Sequence, residues 1–337
     1  MVSRHSILVV IPTLNEARHI AQVLADLSID LPDADLLFVV ADGGSTDGTQ
    51  AIVGDLAQAR GDLVLLPNPL KLQSAAVNLA VERFGEGPDL LIRCDAHADY
   101  PVGFLKKLVE AFDRGEADAI VVPMDSVGVT CFQRAVAWVS DSKVGSGGSA
   151  HRGGAASGYV DHGHHALFRM ESFRRAGGYD PSFTHNEDAE LDCRQRAYGS
   201  RIFLDAEVRL RYAPRATAAK LARQYFNYGK GRSRTVRRHR GSLRARQLAI
   251  PILVMGTLGT VLLAPIAPIF LLLPALYLAI LAATAIRIAI DRRSACGLLA
   301  APAAAIMHYA WGIGFLWGCA SVPERPWSPG MSVGGLS

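Results

Sequence analysis

Polar residues recur in this 337-residue chain directly after short apolar runs, as they do where strands deliver ligand-binding groups. Pro12-Thr13-Leu14-Asn15-Glu16 follows the run 6–11, and Asp42-Gly43-Gly44-Ser45-Thr46-Asp47-Gly48-Thr49 follows 36–41. Asn68-Pro69-Leu70-Lys71 follows 63–66, and Asp95-Ala96-His97-Ala98-Asp99 follows 90–94. Such groups suit a base, a ribose or a divalent cation. A phosphate would need a cation between it and Asp95. No GxxxxGK[ST] loop is present, and no GxGxxG follows the first run, which argues against P-loop NTPases and ordinary dinucleotide dehydrogenases. Farther on, Glu187-Asp188 opens a helix expected over 187–199. By itself that pair reads as acidic residues in a first helical turn, where the dipole favours them. His162, His164 and His165 suggest zinc by number, yet no Cys or fixed i,i+4 partner accompanies them.

The elements that must carry these groups follow from the apolar pattern. The four runs, with a fifth at 119–122, are continuous rather than alternating, as strands buried on both faces are. Amphipathic stretches at 16–28, 49–59, 74–84 and 102–114 are long enough for crossover helices. The expectation is an α/β domain with an open, mostly parallel sheet. The Gly-rich stretch 145–158 reads as a mobile loop over the site.

Charge divides the chain into three parts. Residues 1–200 hold 17 Lys/Arg against 27 Asp/Glu, residues 201–246 hold 14 against 2, and 247–337 hold 4 against 2. This series excludes a single uniform domain and a nucleic-acid binder with its charge spread over the fold. The 40 uncharged residues from Gln247 to Ile286 would make one helix of roughly 60 Å, about twice the bilayer core. A break at Pro265 and Pro268 gives two spans, about 248–264 and 269–286, and a third is expected at about 297–320. His308, inside the third, reads as a packing residue. Basic residues flank the hairpin on both sides, which places residues 1–200 in the cytoplasm. The five cysteines show no CxxC pair and no disulfide framework, so a reducing compartment is expected. The N-terminal apolar run lacks a small-residue cleavage site and reads as a strand.

The strand-end motifs, with Gly177-Gly178-Tyr179-Asp180, Asn186-Glu187-Asp188-Ala189-Glu190-Leu191 and Arg223-Gln224-Tyr225-Phe226-Asn227-Tyr228-Gly229, resemble the family 2 glycosyltransferases of the GT-A fold. Arg93-Cys94-Asp95-Ala96-His97-Ala98-Asp99-Tyr100-Pro101 and Ala310-Trp311-Gly312-Ile313-Gly314-Phe315-Leu316 are similar to its ExoA-like branch of bacterial exopolysaccharide glucosyltransferases. The resemblance implies a GT-A (nucleotide-diphospho-sugar transferase) catalytic domain over 1–215, a basic juxtamembrane segment over 216–246 and a membrane domain over 247–337. It implies inverting transfer of a hexose, glucose from UDP-glucose, to a polyprenyl-diphosphate-linked saccharide, with Mn²⁺ or Mg²⁺ as cofactor, membrane lipids as partners and no nucleic acid. A polyprenyl-phosphate glycosyltransferase and a non-catalytic nucleotide-sugar-binding regulator are the alternatives.

By position, Pro12, Thr13, Asn15 and Glu16 would border the nucleotide. Asp42 would bond the uracil or ribose, with Ser45 and Asp47 shaping its turn, and Lys71 would stand near the uridine or its phosphates. Asp47 reads equally as a helix cap, and Lys71 as a solvated cation. Asp95 and His97 stand where the family has Asp-x-Asp at its metal, with Asp99 as the other second ligand. Asp188 would be the base, ordered by Glu187 and Asn186. His164, His165, Gln224, Tyr228 and Arg232 would meet the acceptor or a diphosphate. Most of the basic segment reads as anchored to anionic lipid, at about 1 kcal/mol per residue.

Overall fold

A computed structural model describes residues 5–28, 31, 34–115, 117–147 and 156–331, the side chains of Ser146, His165 and Arg246 excepted. Strands β1 (Ser6–Thr13), β2 (Asp35–Asp42), β3 (Leu63–Pro67), β4 (Leu90–Arg93) and β5 (Ala119–Val122) alternate with helices α1 (Ile20–Ser28), α2 (Thr49–Ala59), α3 (Gln73–Phe84) and α4 (Phe104–Asp113). Next come β6 (Met124–Ser126), α5 (Cys131–Ser140), α6 (Lys143–Ser146), β7 (Gly158–Tyr159), β8 (His164–Arg169), α7 (Met170–Arg175), α8 (Glu187–Ala197), β9 (Ile202–Leu204) and β10 (Leu210–Tyr212). Helices α9 (Ala218–Arg238), α10 (Ala245–Leu263), α11 (Leu272–Asp291) and α12 (Ala300–Ser321) follow. The first helix starts at Ile20 rather than 16, because residues 17–19 form a turn that carries the loop after β1. Residues 148–155 of the Gly-rich stretch lie outside the described residues.

The chain divides into two compact units. One comprises Met1–Met124, Gly154–Arg211 and Ser328–Ser337, the other Asp125–Gly153 and Tyr212–Trp327. The first unit is built on an eight-stranded sheet in the order β3-β2-β1-β4-β8-β5-β9-β7. β1 to β4 run parallel, while β8 lies antiparallel between β4 and β5. Alternate β1 residues face opposite layers, as the pleat requires. Ile7, Val9 and Ile11 pack with Ile20, Leu24, Phe104 and Leu108; Leu8 and Val10 pack with Val77, Ala80, Phe168 and Phe173. Both faces are covered, which accounts for the continuous apolar runs. Because β8 is reversed, its first residue, His164, pairs with Val122 at the carboxyl end of β5. A residue late in the sequence thereby joins the same sheet edge as Asp95.

The second unit is helical. The break around Pro265 and Pro268 separates α10 from α11. Pro268–Asp291 and Ala295–Ser321 are long and apolar enough to cross a membrane, whereas the apolar stretch Gln247–Leu263 is shorter. Leu262, Ile266 and Ile290 are each more than two-thirds exposed in the chain alone. His308 is a packing residue: its ring nitrogens meet the Val144 carbonyl oxygen at 2.8 Å and the Tyr277 hydroxyl at 3.1 Å. The cysteines depart from expectation, because Cys131 and Cys296 form a disulfide. They lie 165 residues apart and meet only through the fold, so their spacing leaves no local pattern. The cysteine count therefore carries no argument for a reducing compartment.

Helix α9 packs along α12 through glycines. A Cβ on Gly314 would fall on the Phe226 carbonyl oxygen, and one on Gly229 on that of Trp311. Glycine costs about 1 kcal/mol in a helix interior relative to alanine, and here it permits backbone-to-backbone approach. Beyond the seam, Glu324 is buried and accepts from the guanidinium groups of Arg234 (2.7 Å) and Arg238 (2.8 Å). Gly314→Val should lower the thermal midpoint by the equivalent of about 1–3 kcal/mol through overpacking. Gly259→Ala, with open space around it, should not. Equal midpoints in detergent for both variants would refute the seam.

Candidate active site

The loops after β1 and β2 brace each other. Asn15 adopts a left-handed backbone (φ 58°). Its N–H donates to Ser45 Oγ at 2.7 Å, and its side-chain oxygen accepts from the Thr46 N–H at 2.9 Å. The Glu16 N–H donates to Thr49 Oγ1 (2.9 Å), and the Ala17 N–H to Asp47 Oδ2 (3.0 Å). Asp47 also accepts from the Thr49 hydroxyl and N–H, and these bonds hold its carboxyl below the usual range. The N-cap of α2 is Gly48 and not Asp47, which stands one residue earlier, accepts the Thr49 N–H and ties the two loops together. Thr13 is buried and its hydroxyl donates to the Ile11 carbonyl, while Pro12 is partly buried beside it.

Asp42, Gly43, Gly44, Gln50, Asn68 and Lys71 line a cavity of about 190 Å³. The Asp42 carboxylate accepts from the Gly44 and Ser45 N–H groups, the Ser45 hydroxyl and the Gln50 amide. It is the strut of the cavity wall. Lys71 takes a left-handed backbone (φ 56°) in the loop after β3 and lines the same cavity.

At the end of β4 the turn 95–100 is closed by Tyr100, whose hydroxyl accepts from the Asp95 N–H at 2.6 Å. Asp95 Oδ1 accepts from the Gln73 amide at 2.9 Å, and Oδ2 lies 3.7 Å from His164 Nε2. His97 turns elsewhere: its Nδ1 is 3.0 Å from Glu16 Oε1. Asp99 forms an isolated bridge and an ion pair (3.5 Å) with Arg211. Neither expected second ligand is thus paired with Asp95, and the imidazole beside it is His164. Among the described residues, no three His, Cys, Asp or Glu side chains gather as a metal cluster.

Arg93 is buried at the last position of β4. Its guanidinium donates to Asp188 Oδ1 at 2.7 Å and Oδ2 at 3.4 Å, and to the Tyr179 hydroxyl at 3.0 Å. The Tyr179 hydroxyl donates to Asp188 Oδ1 at 2.9 Å. Burial holds that phenol protonated well above its ordinary pKa. Arg93 Nη2 also stands 3.4 Å from His164 Nδ1. One connected set therefore runs Gln73–Asp95–His164–Arg93–Asp188–Tyr179. Asp188 occupies the first turn of α8, where the dipole favours an anion. Asn78 holds Tyr179 by its backbone, accepting from its N–H (2.9 Å) and donating to its carbonyl (2.7 Å).

Arg93, Tyr179, Gln73 and Asn78 are the residues that sequence reasoning missed. Arg93 had a signal: one cation in an otherwise apolar buried strand requires a partner. His162 bonds the buried carboxylate of Asp192 at 2.7 Å, and the side chain of His165 lies outside the described residues. Gln224, Tyr228 and Arg232 belong to the helical unit. There Gln224 donates to the Tyr212 and Tyr228 hydroxyls, and Arg232 to the Ser242 carbonyl.

A family profile described as Glycosyl transferase family 2 matches residues 8–177. The chain belongs to glycosyltransferase family 2. It is 44% identical over 310 residues to the succinoglycan biosynthesis protein ExoA of Rhizobium meliloti (strain 1021), spanning 92% of this chain and 94% of that one. Among solved structures it is similar to the mannosyltransferase PcManGT from Pyrobaculum calidifontis, in complex with GDP-Man and Mn²⁺. That likeness has a TM-score of 0.60 and 21% identity, over 93% of this chain and 88% of the other. The GT-A-like fold expected from the sequence is the one observed.

In this family 2 site the adjacent carboxyls differ. Asp188 is paired with Arg93, whereas burial and the Asp188 charge push Glu187 up to about 7, against a smaller pull from Arg93. The folded glycosyltransferase thus holds the Glu187 proton more tightly than an unfolded carboxyl, whose ordinary value is 4.5. Its stabilising contribution is full below that value and is lost as pH rises through about 7. Thermal unfolding followed from about pH 5 to about pH 8 should therefore fall more steeply for the wild type than for Glu187→Gln. Parallel curves would exclude the raised carboxyl.

Proposed function

We propose that this family 2 enzyme is a membrane-anchored inverting hexosyltransferase. It moves glucose from UDP-glucose to a polyprenyl-diphosphate-linked saccharide in exopolysaccharide synthesis. The observation that carries the reading is the convergence of Asp95 and Asp188 on one sheet edge through His164 and Arg93. That edge continues past the cavity at β2 and β3. The near end-to-end likeness to a succinoglycan biosynthesis protein supports the polymer class.

The cavity between Asp42 and Lys71 takes the base and ribose, with Pro12, Thr13, Asn15, Glu16 and Ser45 forming its braced rim. Asp95 faces the diphosphate. Its donor set, a partly exposed carboxylate with an imidazole 3.7 Å away, fits Mn²⁺ or Mg²⁺, since such ions take one or two protein ligands and complete their shell from phosphate and water. A bound cation supplies charge neutralisation for the departing diphosphate. Asp188 accepts the proton of the acceptor hydroxyl as that oxygen attacks the anomeric carbon, and Glu187 and Asn186 order the site around it. His164, beside Asp95, meets the diphosphate at the same edge.

The helical unit holds the enzyme in the bacterial inner membrane, with the catalytic unit facing the cytoplasm. Support comes from Pro268–Asp291 and Ala295–Ser321, from exposed apolar side chains such as Leu262 and Ile290, and from the basic residues before α10 and after α11. Anionic lipid meets those basic residues.

The test is nucleoside-diphosphate release by the full chain in detergent across UDP-, GDP- and TDP-sugars. It is run with Mn²⁺ or Mg²⁺, with and without a polyprenyl-diphosphate-linked hexose. Release from UDP-glucose should depend on the acceptor and fall by about 10³-fold in Asp188→Asn, within the range that general-base and orientation effects span. Release driven instead by polyprenyl phosphate would reassign the acceptor. Nucleotide-sugar binding without release, unaltered by the substitution, would overturn transfer.

A further inference from the structure

We propose that Arg93 is a positioning residue for sugar transfer: it fixes the bearing of the Asp188 carboxylate relative to the donor site. This inference rests on the transferase reading above and on Asp188 as its base.

Geometry singles out Arg93. Its side chain is 2% exposed, so its charge is withdrawn from water at the centre of the connected set. A buried guanidinium is costly unless its donors are met; both terminal nitrogens of Arg93 are spent on the site, whereas its buried Nε has no partner among the described residues. Two nitrogens reach the two oxygens of Asp188, and one of them also reaches the Tyr179 hydroxyl. A planar fork meeting a planar carboxylate sets both its distance and its rotation, which a lysine ammonium cannot do. Tyr179 closes the third side, with its ring beneath the guanidinium at 5.9 Å.

Placement in the chain gives this clamp its consequence. Arg93 ends β4, and Asp95 follows two residues later on the same strand extension. One short rigid backbone thus carries the donor-side carboxylate and the grip on the proton acceptor. Asp188 arrives from α8, far away in sequence, and its register to Asp95 is set across the Arg93 fork. His164, 3.7 Å from Asp95 and 3.4 Å from Arg93, closes the loop between them. The role is distinct from that of the Glu190–Arg194 pair. There both side chains are fully buried and the guanidinium turns to the Ala176 and Gly178 carbonyls, away from Asp188.

The experiment compares wild type, Arg93→Lys, Arg93→Ala and the paired variant Arg93→Met with Asp188→Asn, each as the full chain in detergent. UDP-glucose and GDP-mannose are each used as donor, with a polyprenyl-diphosphate-linked hexose as acceptor. Arg93→Lys should lose about a hundredfold in kcat, the order expected of a misplacement near 1 Å, while donor KM stays within about threefold. Millimolar guanidinium chloride should restore part of the kcat of Arg93→Ala, and sodium chloride should not. The paired variant removes both charges, so it should unfold near the wild-type temperature and remain inactive. It separates loss of positioning from loss of fold.

Arg93→Lys with wild-type kcat would overturn the proposal. So would a loss confined to KM, or a folded Arg93→Ala indifferent to guanidinium. If the wild type turns over GDP-mannose and not UDP-glucose, the donor assignment fails while the comparison of kcat values decides Arg93 with that substrate. A wild type inactive with both overturns the transferase reading and this role together.

Discussion

A buried positive charge constrains the catalytic unit more than any other single feature. Arg93 cannot sit at the end of an apolar strand unless anions and hydroxyls come to it, and those groups arrive from three distant parts of the chain. Tyr179 is brought by the turn after α7, Asp188 by the first turn of α8, and His164 by β8, which runs antiparallel to both β4 and β5. Removing any partner leaves charge in a low-dielectric interior, where an uncompensated ion costs several kcal/mol. The site is therefore also a keystone of the fold. The helix and the turn that bring Asp188 and Tyr179 are themselves fixed by the Glu190–Arg194 pair and by Asn78.

The cavity at β2 and β3 is stiffened differently. There the loops after β1 and β2 share hydrogen bonds rather than charge, and Asp42 and Asp47 use their oxygens on local N–H and hydroxyl donors. Short polar side chains tie two turns into a single rim, so the cavity wall is largely preformed. A polar ligand entering such a wall finds fixed dipoles and pays little to order the loops.

Much of this was legible in the sequence, for physical reasons. Strands buried on both faces must be continuously apolar, so β1 to β5 announce themselves, and the groups at their carboxyl ends mark the site edge. The expectation for Asp95 comes from this pattern, whereas that for Glu187–Asp188, which open α8, comes from the family resemblance. Direction was not legible: a loop spacing says nothing of where an imidazole points, and His97 turns to Glu16 while His164 takes the place beside Asp95. Partnerships across long separations were equally silent. Arg93 shows only as a cation out of place until Asp188 is folded against it, 95 residues later. The glycines of α9 and α12 read singly as weak helix residues, and only their juxtaposition explains them.

The Cys131–Cys296 bond turns the 165-residue separation between its ends into a covalent ring. Within that ring lie β8, α8 and the helices α9 to α11, so Asp188 and the helix that carries it belong to the closed part of the chain. Only the N-terminal strands and α12 onward hang from it as linear arms. A peptide bond severed once inside the ring leaves the polypeptide in one piece, and separation into fragments awaits reduction of the disulfide.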